Sequence, residues 1–162
     1  MPLYPLLRRY PQDKFDRIWH YDSSLNGVNI VSTEEVISTN NTKELPPTVV
    51  MQTAWVANNS DIIRLSFTYP SQGLLLFYFA EIETVNMSES RSFYIQINGG
   101  TPSKTINLLQ NYSAVELTLL PNEIDYFHVV KAPNSSRPPI LNAYEYHFLY
   151  ATDEATYSQD SK

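Results

Sequence analysis

The sequence contains no cysteine and only four glycines in 162 residues. Without cysteine there is no thiolate zinc site, no disulfide and no cysteine nucleophile, and the redox compartment stays open because domains of this size need no covalent staple. With glycine confined to Gly27, Gly73, Gly99 and Gly100, neither a GxGxxG nor a GxxxxGK[ST] phosphate cradle can be written, which excludes dinucleotide and P-loop folds. Charged residues make up 17%, below the roughly 25% usual in globular domains. Basic residues are scarcer still: eleven Lys and Arg face seventeen Asp and Glu, giving a net charge of −6, and the longest basic run is Arg8-Arg9. That leaves no phosphate-neutralising stripe, so no nucleic-acid partner is expected. The longest apolar run, Leu74 to Ala80, falls far short of the ~20 residues that span a bilayer, so direct membrane insertion by this chain is not expected either. Met1 to Leu7 is apolar, but two prolines break it and Arg8-Arg9 follow the apolar part rather than precede it, the wrong order for a signal peptide. The expectation is a fragment or an internal start, without its own leader or transmembrane segment.

What the sequence does have is aromatic and apolar bulk: 13% aromatic and 43% hydrophobic residues, with twelve Tyr and eleven Pro. This is one soluble domain's worth of core, and at this length folding removes about 70% of the unfolded surface from water. Period-two alternation marks the strands. Ile63, Leu65, Phe67 and Tyr69 alternate with Arg64, Ser66 and Thr68; Phe93, Ile95 and Ile97 alternate with Ser92, Tyr94 and Gln96; Val115, Leu117 and Leu119 alternate with Glu116 and Thr118. Between the last two sets, Asn98-Gly99-Gly100 predicts a chain reversal, because Asn and Gly tolerate positive φ. Further strands are predicted over Val49 to Trp55, Leu74 to Glu83, Ile124 to Lys131 and Ile140 to Tyr150, separated by clusters such as Ala132-Pro133-Asn134-Ser135-Ser136-Arg137-Pro138-Pro139. No segment has a 3.6-residue period long enough for a crossover helix, so the pattern predicts an all-β antiparallel jelly-roll β-sandwich of about eight strands. The best helical turn is Asp13 to Trp19, with Phe15, Ile18 and Trp19 on one side. Thr152 to Lys162 is too polar to pack and reads as a tail.

Five Asn-X-Ser/Thr sequons, at Asn40, Asn58, Asn86, Asn111 and Asn134, all lie in or beside predicted loops and are candidate N-glycosylation sites. Glu81 and Glu83 sit two apart on one predicted strand, the arrangement a glycosidase acid and base would need, but such a pair more often marks a strand leaving the core. No catalytic residue is assigned. His20, His128 and His147 are isolated from one another, no HxH or HExxH pattern occurs, and no metal ligand or cofactor is expected. No serine lies in a Gly-x-Ser-x-Gly elbow. Trp19, Trp55 and the tyrosines are the side chains able to stack on a sugar or anchor a peptide. Asn142 interrupts the apolar set Ile140, Tyr144, Tyr146 and Phe148 and is expected to be a hydrogen-bonded structural anchor, and Glu81 likewise to be structural.

Five ordered motifs carry a resemblance: Arg9-Tyr10-Pro11-Gln12-Asp13-Lys14-Phe15-Asp16-Arg17-Ile18-Trp19, Val50-Met51-Gln52-Thr53-Ala54, Tyr78-Phe79-Ala80-Glu81-Ile82, Arg91 through Asn98-Gly99, and Pro138-Pro139-Ile140-Leu141-Asn142-Ala143-Tyr144-Glu145. In this order they resemble the second half of the malectin-like extracellular domain of plant leucine-rich-repeat receptor-like kinases. The resemblance divides the chain into an N-terminal extension (1–8), a malectin-like domain (9–150) and a polar tail (151–162). It implies a jelly roll in the apoplast, on the extracellular face of the plasma membrane in the full-length context, normally preceded by a sister module and followed by leucine-rich repeats, a membrane span and a kinase. The function it implies is noncatalytic recognition of a peptide ligand, a cell-wall glycan or a co-receptor, by such a receptor or a truncated product of its gene. The alternative is an autonomous carbohydrate-binding module. In the animal lectin that gives the family its name, an aromatic pair just after the Phe-Ala-Glu-x strand stacks on a glucose disaccharide. The matching positions are Glu83 and Thr84, which offer no apolar face, so Trp55 joins them as a candidate ligand contact.

Overall fold

The computed structural model describes residues 8–9, 13–20 and 25–148. They form twelve strands and one helical turn: β1 (Arg8–Arg9), β2 (Ile18–Trp19), β3 (Val28–Ser32), α1 (Thr48–Met51), β4 (Thr53–Ala57), β5 (Ile62–Ser71), β6 (Gly73–Phe79), β7 (Arg91–Ile97), β8 (Ile106–Leu108), β9 (Val115–Leu119), β10 (Ile124–Lys131), β11 (Ile140–Leu141) and β12 (Ala143–Phe148). Every pair of these strands is antiparallel. The predicted tail, residues 149–150 of the last predicted strand and the N-terminal extension before Arg8 lie outside the described residues.

Two sheets make the jelly-roll sandwich. One has the order β5-β10-β7-β8 and the other β12-β6-β9, with a third sheet β11-β4-β3 beside them. Of the inward alternate residues predicted from sequence, Ile63 and Leu65 on β5, Phe93 and Ile95 on β7 and Leu117 on β9 are buried, whereas Val115, at the start of β9, is exposed; Phe127 and Val129 on β10 are buried as well. Rings close the gap between the sheets. Phe77 of β6 meets Phe127 edge-on at 4.8 Å between centroids, and Phe79 lies 4.9 Å from Phe93. Burying each of these rings stabilises the fold by about 2–3 kcal/mol before packing terms. β6 is apolar almost throughout because both its faces are covered. Leu75, Phe77 and Phe79 face the core, while Tyr78 on the other face is covered by Trp19 of β2 at 6.2 Å, edge-on. At the other end of β6, Gly73 is required by close approach, since a Cβ there would run into the Tyr146 ring and stand 2.7 Å from the His147 carbonyl oxygen. The reversal after β7 uses Asn98 at φ 49° and Gly99 at φ 67°, the conformation the Asn-Gly pair was expected to supply.

Four expectations are corrected. The predicted strand Val49 to Trp55 begins as the helical turn α1, because Pro46-Pro47 precede it and Pro47, at φ −56°, presets the first turn and accepts the Val50 N–H at 2.9 Å. The predicted helical turn from Asp13 to Trp19 is an Asx turn leading into β2. Asp13 Oδ1 accepts the Phe15 N–H at 2.9 Å and Asp16 adopts φ 52°, so Phe15 and Ile18 stay exposed while Trp19 packs. The last predicted strand is split at Asn142 into β11, paired with β4, and β12, paired with β6. Glu81 and Glu83 do not share a strand face, since β6 ends at Phe79.

Candidate functional site

On the outer side of the β12-β6-β9 sheet lies a cavity of about 420 Å³ lined by Arg17, Ile18, Trp19, His20, Trp55 and the segment 144–147. Its base is a polar cluster built from four distant parts of the chain. Asp13, fully buried at its side chain, accepts Arg17 Nε at 3.0 Å, Trp19 Nε1 at 2.7 Å and the Phe15 N–H. Arg17 Nη1 reaches Glu145 Oε1 at 2.6 Å, and Nη2 donates to the carbonyls of Glu44 (2.8 Å) and Leu45 (3.2 Å). Leu45 stands at φ 42°, a conformation costly for a side chain with a Cβ, and the Arg17 bond fixes its carbonyl there. The Tyr78 hydroxyl donates to Glu145 Oε1 at 2.6 Å, and His147 Nε2 lies 3.1 Å from Glu145 Oε2.

The electrostatics follow from this geometry. Burial pushes the Asp13 carboxyl up, but the hydrogen bonds from Trp19, Arg17 and the Phe15 N–H together with the Arg17 charge outweigh it, and the net position is below the ordinary carboxylate value. Burial pushes the Tyr78 phenol well above its usual range, and the neighbouring Glu145 carboxylate adds to that. Every nitrogen of the Arg17 guanidinium already has an oxygen partner, so it has little left to hold an incoming anion. Two carboxylates, Asp13 and Glu145, outnumber that one guanidinium.

The site therefore gathers Trp55, which the sequence singled out, with Arg17, Trp19, Glu145, His20 and His147. His20 and His147 look isolated in the sequence, yet both line this cavity. His128 lies elsewhere on β10, where burial and then Arg64 push its imidazole down. Arg17 and Glu145 were missed as site residues; the available signal was a charge within two residues of an aromatic, too common to single them out.

Glu83 and Thr84 are not in this cavity. They lie beyond the end of β6, where Glu81 and Glu83 both pair with Arg91, itself fully buried: Glu81 Oε2 is 3.0 Å from Arg91 Nε and Glu83 Oε2 is 2.6 Å from Nη2. The Nε contact is close but poorly aligned for a hydrogen bond, and Arg91 Nη1 has no hydrogen-bond partner among the described residues. Glu81 Oε1 also accepts the Glu83 N–H at 3.1 Å. Burial raises the Glu81 carboxyl, with Arg91 opposing. Both carboxylates of the pair considered as a glycosidase acid and base are thus engaged with one buried arginine. Asn142 ties three segments together: its Oδ1 accepts the Ala80 N–H at 2.8 Å and its Nδ2 donates to the carbonyls of Met51 and Thr53 at 2.9 and 3.3 Å. The five sequon residues Asn40, Asn58, Asn86, Asn111 and Asn134 are all exposed and all outside strands.

Fold and cavity define a jelly-roll module with a concave site on one sheet face. The chain belongs to the malectin-like domain family, which matches residues 5–149. It is 32% identical over 148 residues to a probable LRR receptor-like serine/threonine-protein kinase of Arabidopsis thaliana, covering 85% of this chain and 16% of that protein's length. Among solved structures it is similar to a chain of the plant peptide RALF23 in complex with FER and LLG2, at TM-score 0.64 and 18% identity, covering 85% of this chain and 44% of that one. A β-glucuronidase of Bacteroides uniformis is similar over 85% of this chain and 16% of its own, at TM-score 0.58 and 16% identity. Likeness at such identities shows the fold alone.

Proposed function

We propose that the chain is an extracellular recognition module of a plant malectin-like receptor kinase, or of a truncated product of such a gene, and that its cavity receives a cationic or aromatic side chain of a peptide ligand or co-receptor. The observation that carries this reading is the state of Arg17. With its nitrogens committed to Asp13, Glu145 and two carbonyls, the cavity disfavours anions, while the surplus carboxylate and the Trp55 indole suit a guanidinium or ammonium group. A cation over an indole face adds about 0.5–2 kcal/mol, depending on desolvation. The receptor-like kinases among its relatives, and a structural neighbour solved with a plant peptide, support the recognition role. That family context supports a place at the extracellular face of the plasma membrane.

The second reading is an autonomous carbohydrate-binding module, favoured by the presence of Trp55 in a concave site. Against it, the Trp19 Nε1, Arg17 and Tyr78 donors are already engaged, and a sugar needs several such groups.

The experiment uses a feature of the composition: the chain has two tryptophans, Trp19 and Trp55, and both line the cavity. Intrinsic emission is therefore a direct report of occupancy. Titration with triarginine amide, triglutamate amide, maltose, nigerose and cell-wall oligosaccharides separates the readings. Triarginine is expected to change the emission saturably, with the response lost in Trp55→Ala. A response to sugars alone transfers the site to the carbohydrate reading, and no response to any ligand removes the cavity as the site.

A further inference from the structure

The five sequons are scattered through the sequence but not through the fold. β6 ends where β9 begins (Phe79↔Val115), β7 begins where β8 ends (Arg91↔Leu108), and β10 ends where β7 and β5 begin (Lys131↔Phe93, Val130↔Ile62). The connections after β4, β6, β8 and β10, which carry Asn58, Asn86, Asn111 and Asn134, therefore converge on one end of the sandwich. Bonds between these loops fix the convergence: Val85 N–H to Gln110 Oε1 at 3.0 Å, Ser90 N–H to Ser136 Oγ at 2.8 Å, and Lys131 Nζ to Asp61 at 3.1 Å. The loop of Asn40 joins them through the Ser38–Ser113 bridge and the bond from Asn41 Nδ2 to Ser113 Oγ at 3.0 Å. The opposite end is made by the β5–β6, β7–β8 and β9–β10 connections; Asn98 ties the last two together by donating to the Glu123 carbonyl and accepting the Asp125 and Tyr126 N–H groups, and the Ile124–Ser71 pairing brings the first beside them. No sequon occurs in those three connections.

We infer that N-glycans on Asn40, Asn58, Asn86, Asn111 and Asn134 form a shield over one end of the sandwich, the end that carries Glu83 and Thr84, and leave the opposite end bare. Glycans are bulky and hydrated, and several on adjoining loops obstruct the packing of a protein partner there. Thr84 is two residues from Asn86, and its carbonyl accepts Arg137 Nη1 from the loop that carries Asn134. Glycans there would cover Glu83 and Thr84 and leave protein partners the bare end and the flanking cavity.

This inference rests on the extracellular reading, and the test separates the two. The full chain is expressed behind a cleavable secretory leader in plant cells, and glycopeptides are identified by mass spectrometry on both the secreted and the endoplasmic-reticulum pools. Four or five occupied sites are expected; three or fewer overturn the shield. Occupied sites on a chain that never leaves the cell count against the extracellular reading and leave the shield standing. Hydroxyl-radical footprinting then compares the glycosylated chain with the enzymatically deglycosylated one. Met87, fully exposed within the Asn86 sequon, is expected to oxidise several-fold faster once the glycans are removed, while Leu120 and Phe148, exposed at the other end, are unchanged. Equal changes at both ends, or none at Met87, overturn the inference.

Discussion

Arg17 Nη1 lies 2.6 Å from Glu145 Oε1, joining two residues 128 positions apart and locking the N-terminal segment onto the last described strand. The same guanidinium is held by Asp13 and by two carbonyls of the segment before α1. One side chain thus closes the base of the cavity and fixes three segments that no common sheet would hold together.

Replacing Arg17 by Lys keeps the charge but loses the planar fork, so the ammonium cannot reach Asp13, Glu145 and the two carbonyls together. The expected cost is about 2–4 kcal/mol, because the single ammonium cannot meet both buried carboxylates, and one of Asp13 and Glu145 is left short of its partner. In a domain of this size that is a fall of roughly 4–16 °C in melting temperature, read by calorimetry. An unchanged melting temperature would show the cluster to be loose in solution.

Asp13 sets an acid limb for stability. Its folded carboxyl lies below the ordinary value, so its contribution is fully present above about pH 4 and is lost as pH falls through the folded value. Glu81 has the opposite sign. Burial raises its folded carboxyl, so ionising it as pH rises through that raised value costs stability. Denaturant titrations across acidic pH are expected to give a shallower acid loss in Asp13→Asn than in the unmodified chain. In Glu81→Gln the acid loss is expected to be steeper, because the compensating protonation is gone.

The Glu81–Arg91–Glu83 cluster makes a prediction about lectin engineering. Glu83→Tyr with Thr84→Phe would put an aromatic pair after the Phe-Ala-Glu strand, but it removes the carboxylate 2.6 Å from the buried Arg91. The double variant is expected to be destabilised by about 1–3 kcal/mol through the charge left short of a partner, and to gain no affinity for maltose or nigerose. Thermal melting and calorimetric titration check both halves.

Asn142→Asp keeps the acceptor for the Ala80 N–H but points a second oxygen at the Met51 and Thr53 carbonyls. Acceptor facing acceptor is expected to cost about 2–4 kcal/mol near neutral pH. The cost is expected to shrink in acid, where the protonated carboxyl can donate again. Equal stability at both pH values would show that the carbonyls move away.

Much of the fold was legible in the sequence where one face of a strand is wet. β5, β7, β9 and β10 alternate because water and core sit on opposite sides of them, and the Asn98-Gly99 reversal follows from backbone sterics alone. β3 and β8 were not legible. β3 is an edge strand whose residues are all at least partly exposed, and β8 has three residues, too few for any period to show. α1 was hidden because Val49, Val50 and Met51 look like a strand, and two preceding prolines outweigh that preference only through the geometry of a single turn.

By itself the sequence determined the class: alternating apolar residues must bury one face, which commits the chain to antiparallel sheets, and five ordered motifs place it with the malectin-like domains. The tertiary structure alone decided the site. Which strands pair sets where Glu145 stands relative to Arg17, where Trp55 stands relative to Trp19, and at which end each sequon loop emerges. Those relations depend on contacts between residues far apart in the chain, and neither composition nor local period carries that information.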